Sequence, residues 1–227
     1  MQIHRDIKQR SNEWFRIRHA RITASHAADL ITEKGAIAKN AKRQGYLAAK
    51  LAERFTGRTA RAFETEAMRR GIELEPKARD YYATNHPALE EVGCITAEIG
   101  GGVVVCSPDG LLPDRGLEIK CPMPNTLVAQ LCAIALKDGP PWEYVAQCQF
   151  GMLVSGLKQW DLVLYGNLEL PSITIAIKRD DAMCAALTEA VKLFHGDLEA
   201  GAAAIRDMGG IETPYIPVNS NDEVALW

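Results

Sequence analysis

The sequence predicts a single α/β domain: a central mixed β-sheet of about five strands, flanked by helices. Three observations predict it. Helical periodicity fills the first third, apolar strand-like runs dominate the middle, and one long helical stretch follows. The 227 residues are enough for one large domain with a well-buried core. With 47% hydrophobic and 24% charged residues, the chain belongs to neither the disordered nor the fibrous class. No repeat or low-complexity linker divides it. We therefore read residues 1–227 as one unit, with a basic helical part (1–70), a sheet-and-helix part (71–180) and a C-terminal helix with its tail (181–227).

In chain order, Ser11 is a suitable N-cap for the helix NEWFRIRHA. Thr23 or Ser25 starts a second helix, ASHAADLI, and TEKGAIAKNAKRQG follows as a basic loop. A helix from about Gly45 to Phe55 ends near Gly57, and another runs from about Phe63 to Tyr82 with Pro76 as a kink. EVGCITAEI and GGVVVCS read as a hairpin around Gly100–Gly102, and GLEIKC is the third strand. TLVAQLCAIALKDG is helical and ends at Gly139. PWEYVAQCQFGMLVSG opens with Pro141 and closes at Gly156. KQWDLVLYGN and SITIAIKRD complete the strands, a long helix follows, and the tail VNSNDEVALW carries no firm signal.

No apolar run approaches the roughly 20 residues of a membrane span. The N-terminal stretch lacks the apolar core of a signal peptide. Six cysteines without CxxC or zinc-finger spacing read as reduced thiols, which points to a cytoplasmic protein. The net charge of −3 is unevenly spread. Residues 1–70 hold 16 Lys+Arg and 7 Asp+Glu, a net of +9, and the remainder hold 10 and 22, a net of −12. A basic third beside an acidic remainder suits a polyanion bound by the first part, or else simply solvated helix faces.

The chemistry concentrates in CSPDGLLPDRGLEIKCP, residues 106–122. Residues i and i+2 of a strand share a face, so Glu118 and Lys120 point one way, and Leu117, Ile119 and Cys121 the other. A charged pair on a buried strand is costly unless it is paired or bound to a metal. Asp109 stands in the preceding Pro-Asp-Gly turn. Met68, Ile72 and Glu75 fall on one helix face, so Glu75 is expected to turn inward as a third carboxylate, with Glu73 a weaker rival. Clustered carboxylates repel unless a cation joins them, and hard oxygen ligands favour Mg²⁺ or Mn²⁺. Lys120 would then orient water or stabilise extra negative charge, and less readily act as a neutral base.

EWFRIRHARITAS, RRGIELEPKAR, CSPDGLLPDRGLEIKCP and EYVAQCQFGML follow one another over about residues 11 to 165. In order and spacing they resemble the phage lambda exonuclease family, within the PD-(D/E)xK superfamily. That motif reads here Pro108-Asp109, then Glu118-Ile119-Lys120. The resemblance implies a restriction-endonuclease-like fold and a processive 5′-to-3′ exonuclease on linear double-stranded DNA. It also implies release of mononucleotides, a ring-shaped homotrimer and a single-strand annealing protein as partner. Asp109, Glu118 and Glu75 would be metal ligands, serving two Mg²⁺ ions with Mn²⁺ as a substitute, and Lys120 the catalytic lysine. Arg18, Ser25 and Ser107 match residues that cradle the terminal 5′ phosphate. Ser25 near a helix N-terminus also suits an anion on physical grounds. Gln147, with Tyr144 one helical turn away, would position water or a metal-bound group, and Gln149 lies in the same stretch. Trp14 matches a family aromatic, as core more than as a stacking ring. Met68 stands where the family has an apolar wedge that parts the duplex end, with core packing the plain alternative. Lys39, Lys42 and Arg43 remain generic backbone contacts. Two rivals stand beside this reading: a related endonuclease of restriction or repair type, and a non-catalytic DNA-end binding module.

Overall fold

The computed structural model describes residues 1–59 and 65–217. The expected helix start near Phe63 and the tail 218–227 lie outside the described residues. Strand β1 (Gln2–His4) leads into α1 (Asn12–Arg18), where the Ser11 hydroxyl accepts the Trp14 N–H at 3.2 Å, as an N-cap should. After β2 (Ile22–Thr23) the expected helix ASHAADLI shrinks to a 3₁₀ turn, Ala24–His26, and the four-residue α2 (Ala27–Leu30). Helix α3 (Ala41–Thr56) begins inside the supposed basic loop, because the Asn40 side chain accepts the Arg43 N–H and caps it there. Gly57 ends it at φ +69°, a conformation glycine adopts freely.

Helix α4 (Glu66–Ala83) runs unbroken through Pro76. Its inward face differs from the expected one. Leu74, Ala78 and Tyr82, spaced by four, are buried, whereas Met68 and Ile72 are 44% and 42% exposed. The apolar row that Met68 and Ile72 begin runs into Glu75, Pro76 and Arg79. The Leu74 row stays apolar through Ala78 and Tyr82, so it is the one that buries more apolar surface.

The five expected strands are all present: β3 (Cys94–Ile99), β4 (Gly102–Cys106), β6 (Gly116–Lys120), β7 (Gln159–Leu164) and β8 (Ile173–Lys178). With β1, β2 and the two-residue β5 (Gly110–Leu111) they form, among the described residues, two four-stranded mixed sheets instead of one, in the orders β1-β3-β4-β2 and β5-β6-β7-β8. The three extra strands are too short to show a period-two pattern. The chain passes from one sheet to the other through residues 107–109.

Helices α5 (Pro124–Ala135) and α6 (Trp142–Ser155) follow β6, and α7 (Asp181–Asp207) closes the fold. Helix α6 is buried along most of its length and lies across both sheets. It comes close because two glycines bracket the fully buried Trp160 of β7. A Cβ on Gly151 of α6 would stand 2.7 Å from the indole, and one on Gly116 of β6 2.4 Å. Gly151→Ala is therefore expected to destabilise the protein by about 1–3 kcal/mol in urea denaturation, against the ~1 kcal/mol that helix propensity alone would add.

All six cysteines are free and five are buried, in line with reduced thiols packed as small core residues. Among the described residues, no helix is long and apolar enough to cross a membrane.

Candidate active site

The alternation expected of β6 is realised. Leu117, Ile119 and Cys121 pack with Leu74, Ala78 and Tyr82 of α4. Glu118 and Lys120 face α6 on the other side, where Gln147 meets them. The three side chains close a triangle. Lys120 Nζ lies 2.8 Å from Glu118 Oε1 and donates to Gln147 Oε1 at 3.0 Å, while Gln147 Nε2 donates to Glu118 Oε1 at 2.7 Å. Tyr144, one turn before Gln147, places its ring 5.1 Å from the ammonium, and its hydroxyl accepts from Gln130 at 3.3 Å. Gln149 is on the far side of α6. It donates to Lys178 O and accepts the Asp180 N–H, so it is a buried latch for the end of β8.

Asp109 sits where the two sheets part. Its N–H donates to Leu117 O at 2.9 Å, and its carboxylate accepts the Ile119 N–H at 2.6 Å. A side chain thus takes the ladder position that a longer β5 would have filled. Burial, then the nearby Glu118 and Glu75 carboxylates, push the Asp109 carboxyl well above its ordinary range. Burial also raises Glu118, against the pull of Lys120. For Lys120, burial acts downward, but Glu118 and Asp109 outweigh it and the net shift is upward. In the metal-free site Lys120 is therefore held as an ammonium.

These shifts set a sign for stability. A carboxyl raised in the folded state binds its proton more tightly there than in the unfolded chain. Its stabilising contribution is complete below the ordinary carboxylate range and is lost as pH rises through the folded value. In chelator, thermal melts are expected to show wild-type stability falling with rising pH across that window, and an Asp109→Asn protein lacking that part of the slope.

Glu75 reaches the site from the flank of α4, beside Leu74. Arg79 Nη2 donates to it at 2.6 Å and Arg10 Nη2 at 3.2 Å. Arg79 also donates through Nε to Asp109 O at 2.7 Å and pairs with Glu91 at 3.1 Å. It ties the helix carboxylate to the turn that carries Asp109. Sequence reasoning missed Arg79, although the Glu75–Arg79 spacing of four on a helix was a usable signal. Arg10, and Gln9, which donates to Pro108 O at 2.8 Å, gave no such signal. Glu73 is exposed.

The donor set Asp109, Glu118 and Glu75 is all oxygen, and two of its members, the half-buried Asp109 and the buried Glu118, are carboxyls raised in part by their neighbours. That chemistry fits a hard divalent cation. As the side chains stand, each carboxylate is held by its own partner. Among the described residues, no group of three Asp, Glu, His or Cys side chains forms a ready metal cage.

A second cluster adjoins this one. Strand β2 runs parallel to β4 with Thr23 opposite Val105, so Ser25 and Ser107 are carried to the same end of the sheet. Ser107 Oγ accepts from Arg18 Nη1 at 3.0 Å and from Trp14 Nε1 at 3.0 Å. The Arg18 guanidinium lies 4.2 Å over the Trp14 ring, so Trp14 is both packing and platform. Burial lowers the Arg18 pKa, and among the described residues Arg18 forms no ion pair. Ser25 is exposed and contacts Thr23 Oγ1 at 3.2 Å, without a hydrogen bond to Arg18 or Ser107. Arg43 pairs with Asp197 at 2.7 Å, so it tethers α3 to α7.

Residues 13–158 match the family described as the YqaJ-like viral recombinase domain. The fold is similar to that of an alkaline exonuclease, LHK-Exo, from Laribacter hongkongensis. The two are 35% identical with a TM-score of 0.76, over 88% of this chain and 98% of that one. The structure of LHK-Exo in complex with dAMP agrees equally well, at 34% identity and a TM-score of 0.76. A phage related exonuclease from Haemophilus somnus 129PT, 17% identical with a TM-score of 0.57, shares the fold. No curated protein matches the chain.

Proposed function

From the premise that this chain belongs to the YqaJ-like viral recombinase domain family, with its lambda exonuclease-like nucleases, we propose a Mg²⁺-dependent, processive 5′-to-3′ exonuclease on linear double-stranded DNA. One observation carries the reading. Arg18, a half-buried cation with no carboxylate partner among the described residues, is hydrogen-bonded to Ser107, two residues before Asp109. Such a guanidinium suits a phosphate, which it can bind through two parallel hydrogen bonds. A terminal 5′ phosphate held by Arg18 and Ser107, with Ser25 at the same sheet end, sets the next phosphodiester beside Asp109, Glu118 and Lys120.

A divalent ion held by Asp109, Glu118 and Glu75, with a second beside it, would supply an activated water and neutralise charge on the phosphate. Lys120 stays protonated, donates to oxygens of the scissile phosphate and stabilises the negative charge that develops there. Gln147 fixes both Lys120 and Glu118, and the Tyr144 ring backs the ammonium. Arg79 keeps Glu75 aligned with the Asp109 turn. Met68, exposed on α4 two turns from Glu75, is available as the wedge that parts the terminal base pair. A relative solved with dAMP supports release of mononucleotides. A homotrimeric ring around the DNA would let a net-acidic chain hold its substrate, with a single-strand annealing protein taking up the 3′ tail in the host cytoplasm.

The test is digestion of a linear duplex labelled at either end, with and without a 5′ phosphate, in Mg²⁺, in Mn²⁺ and in EDTA. Label at the 5′ end is expected to be released first, as mononucleotide, fastest from phosphorylated ends and not at all in EDTA. Rapid loss of closed-circular duplex would favour an endonuclease instead.

A further inference from the structure

We propose that Glu53, charge-balanced by Lys50, is a positioning residue for 5′-phosphate recognition that acts through Arg18. The inference rests on the end-binding reading above. The chain leaves α1 at Arg18, and two residues later Ala20 takes φ +53°, a left-handed conformation that residues other than glycine rarely adopt. Something must hold it there. The Ala20 N–H donates to Glu53 Oε2 at 2.7 Å, a charge-assisted bond from α3. Glu53 is 3% exposed and pairs with Lys50 Nζ at 2.8 Å. A buried ion pair is a poor way to gain stability, since desolvation offsets most of the attraction. Its presence beneath this turn points to geometry instead.

The same face of α3 holds the segment at a second point. Tyr46, Lys50 and Glu53 are spaced by four and three. The Tyr46 hydroxyl accepts the Thr23 N–H at 3.0 Å, and the Lys50 ammonium lies 5.5 Å from the Tyr46 ring. Ala20 and Thr23 are thus both pinned to α3. Between them they fix the path from Arg18 to Ser25, and with it the direction in which Arg18 reaches Ser107. Neither Lys50 nor Glu53 is hydrogen-bonded to Arg18, Ser25 or Ser107.

The experiment compares equilibrium binding of a short duplex bearing a 5′ phosphate or a 5′ hydroxyl, by fluorescence anisotropy in EDTA. Lys50→Met/Glu53→Leu removes the charges and the acceptor together. It is expected to lower the phosphate-over-hydroxyl affinity ratio at least tenfold, with hydroxyl-end binding unchanged. Lys50→Met/Glu53→Gln keeps an oxygen for the Ala20 N–H and is expected to retain most of the ratio. In an Arg18→Ala background, adding Lys50→Met/Glu53→Leu is expected to change the ratio less than twofold, because the pair acts through Arg18. An unchanged ratio in the Leu variant, an equal loss on both ends, or an additive loss with Arg18→Ala would overturn the inference. Should the Leu variant not melt cooperatively, Glu53→Asp, which draws the carboxylate back from Ala20, is read in the same way. A wild type that prefers the phosphorylated end beside a Leu variant that keeps the preference defeats this inference alone. A wild type indifferent to the phosphate defeats the end-binding reading and the inference with it.

Discussion

Asp109→Asn is expected to abolish nuclease activity while making the metal-free protein more stable. The amide keeps the shape of the carboxylate and still offers an oxygen to the Ile119 N–H, so the junction between the sheets stays closed. What disappears is a half-buried negative charge that Glu118 and Glu75 already disfavour. We expect a gain of about 0.5–2 kcal/mol in chelator at neutral to alkaline pH, the usual scale when a strained functional group is relieved. We expect a loss of at least ~10²–10³ in turnover, the scale for removing one electrostatic stabiliser of a transition state. Added Mg²⁺ should stabilise the wild type more than the variant, by differential scanning calorimetry. A variant that keeps full activity, or that loses stability in chelator, would remove Asp109 from the proposed site.

Lys120→Gln should cost activity on the same scale, with stability moving the other way. The ammonium is the only cation hydrogen-bonded to Glu118 among the described residues. Without it, a buried carboxylate is left with Gln147 alone and must take up a proton or endure its burial. Breaking a buried pair costs about 3–5 kcal/mol. Because Lys120 remains 24% exposed, we expect about 2–3 kcal/mol. Urea denaturation at constant pH reads this directly. The opposite stability signs of the two variants, with a shared loss of turnover, distinguish a poised charge cluster from a mere structural ion pair. A Lys120→Gln protein as stable as wild type would contradict the geometry of the Glu118–Lys120–Gln147 triangle.

How much of this was legible beforehand depends on the range over which each feature acts. The alternation of Leu117, Glu118, Ile119 and Lys120 is local, and it placed the charged pair on one face correctly. The four-residue spacing of Glu75 and Arg79 was equally local, and went unread. The inward face of α4 was misjudged because Met68 and Ile72 are apolar. Helix rotation is chosen by the partner surface, and Leu74, Ala78 and Tyr82 match the face of β6 better. Short strands such as β2 and β5 have too few residues to show a period, so the division into two sheets could not be anticipated.

By itself the sequence determined the order of the longer helices and of the five longer strands, the single-domain class, the faces of β6 and a family resemblance carried by short motifs. These follow from backbone geometry and side-chain type over a few residues. Only the tertiary structure decided that Ser107 meets Arg18 across 89 residues, that Arg79 joins Glu75 to the Asp109 turn, and that Glu53 holds Ala20 in its left-handed conformation. Those contacts depend on where the chain closes on itself, and that is settled by the burial of many apolar side chains together, not by any one segment.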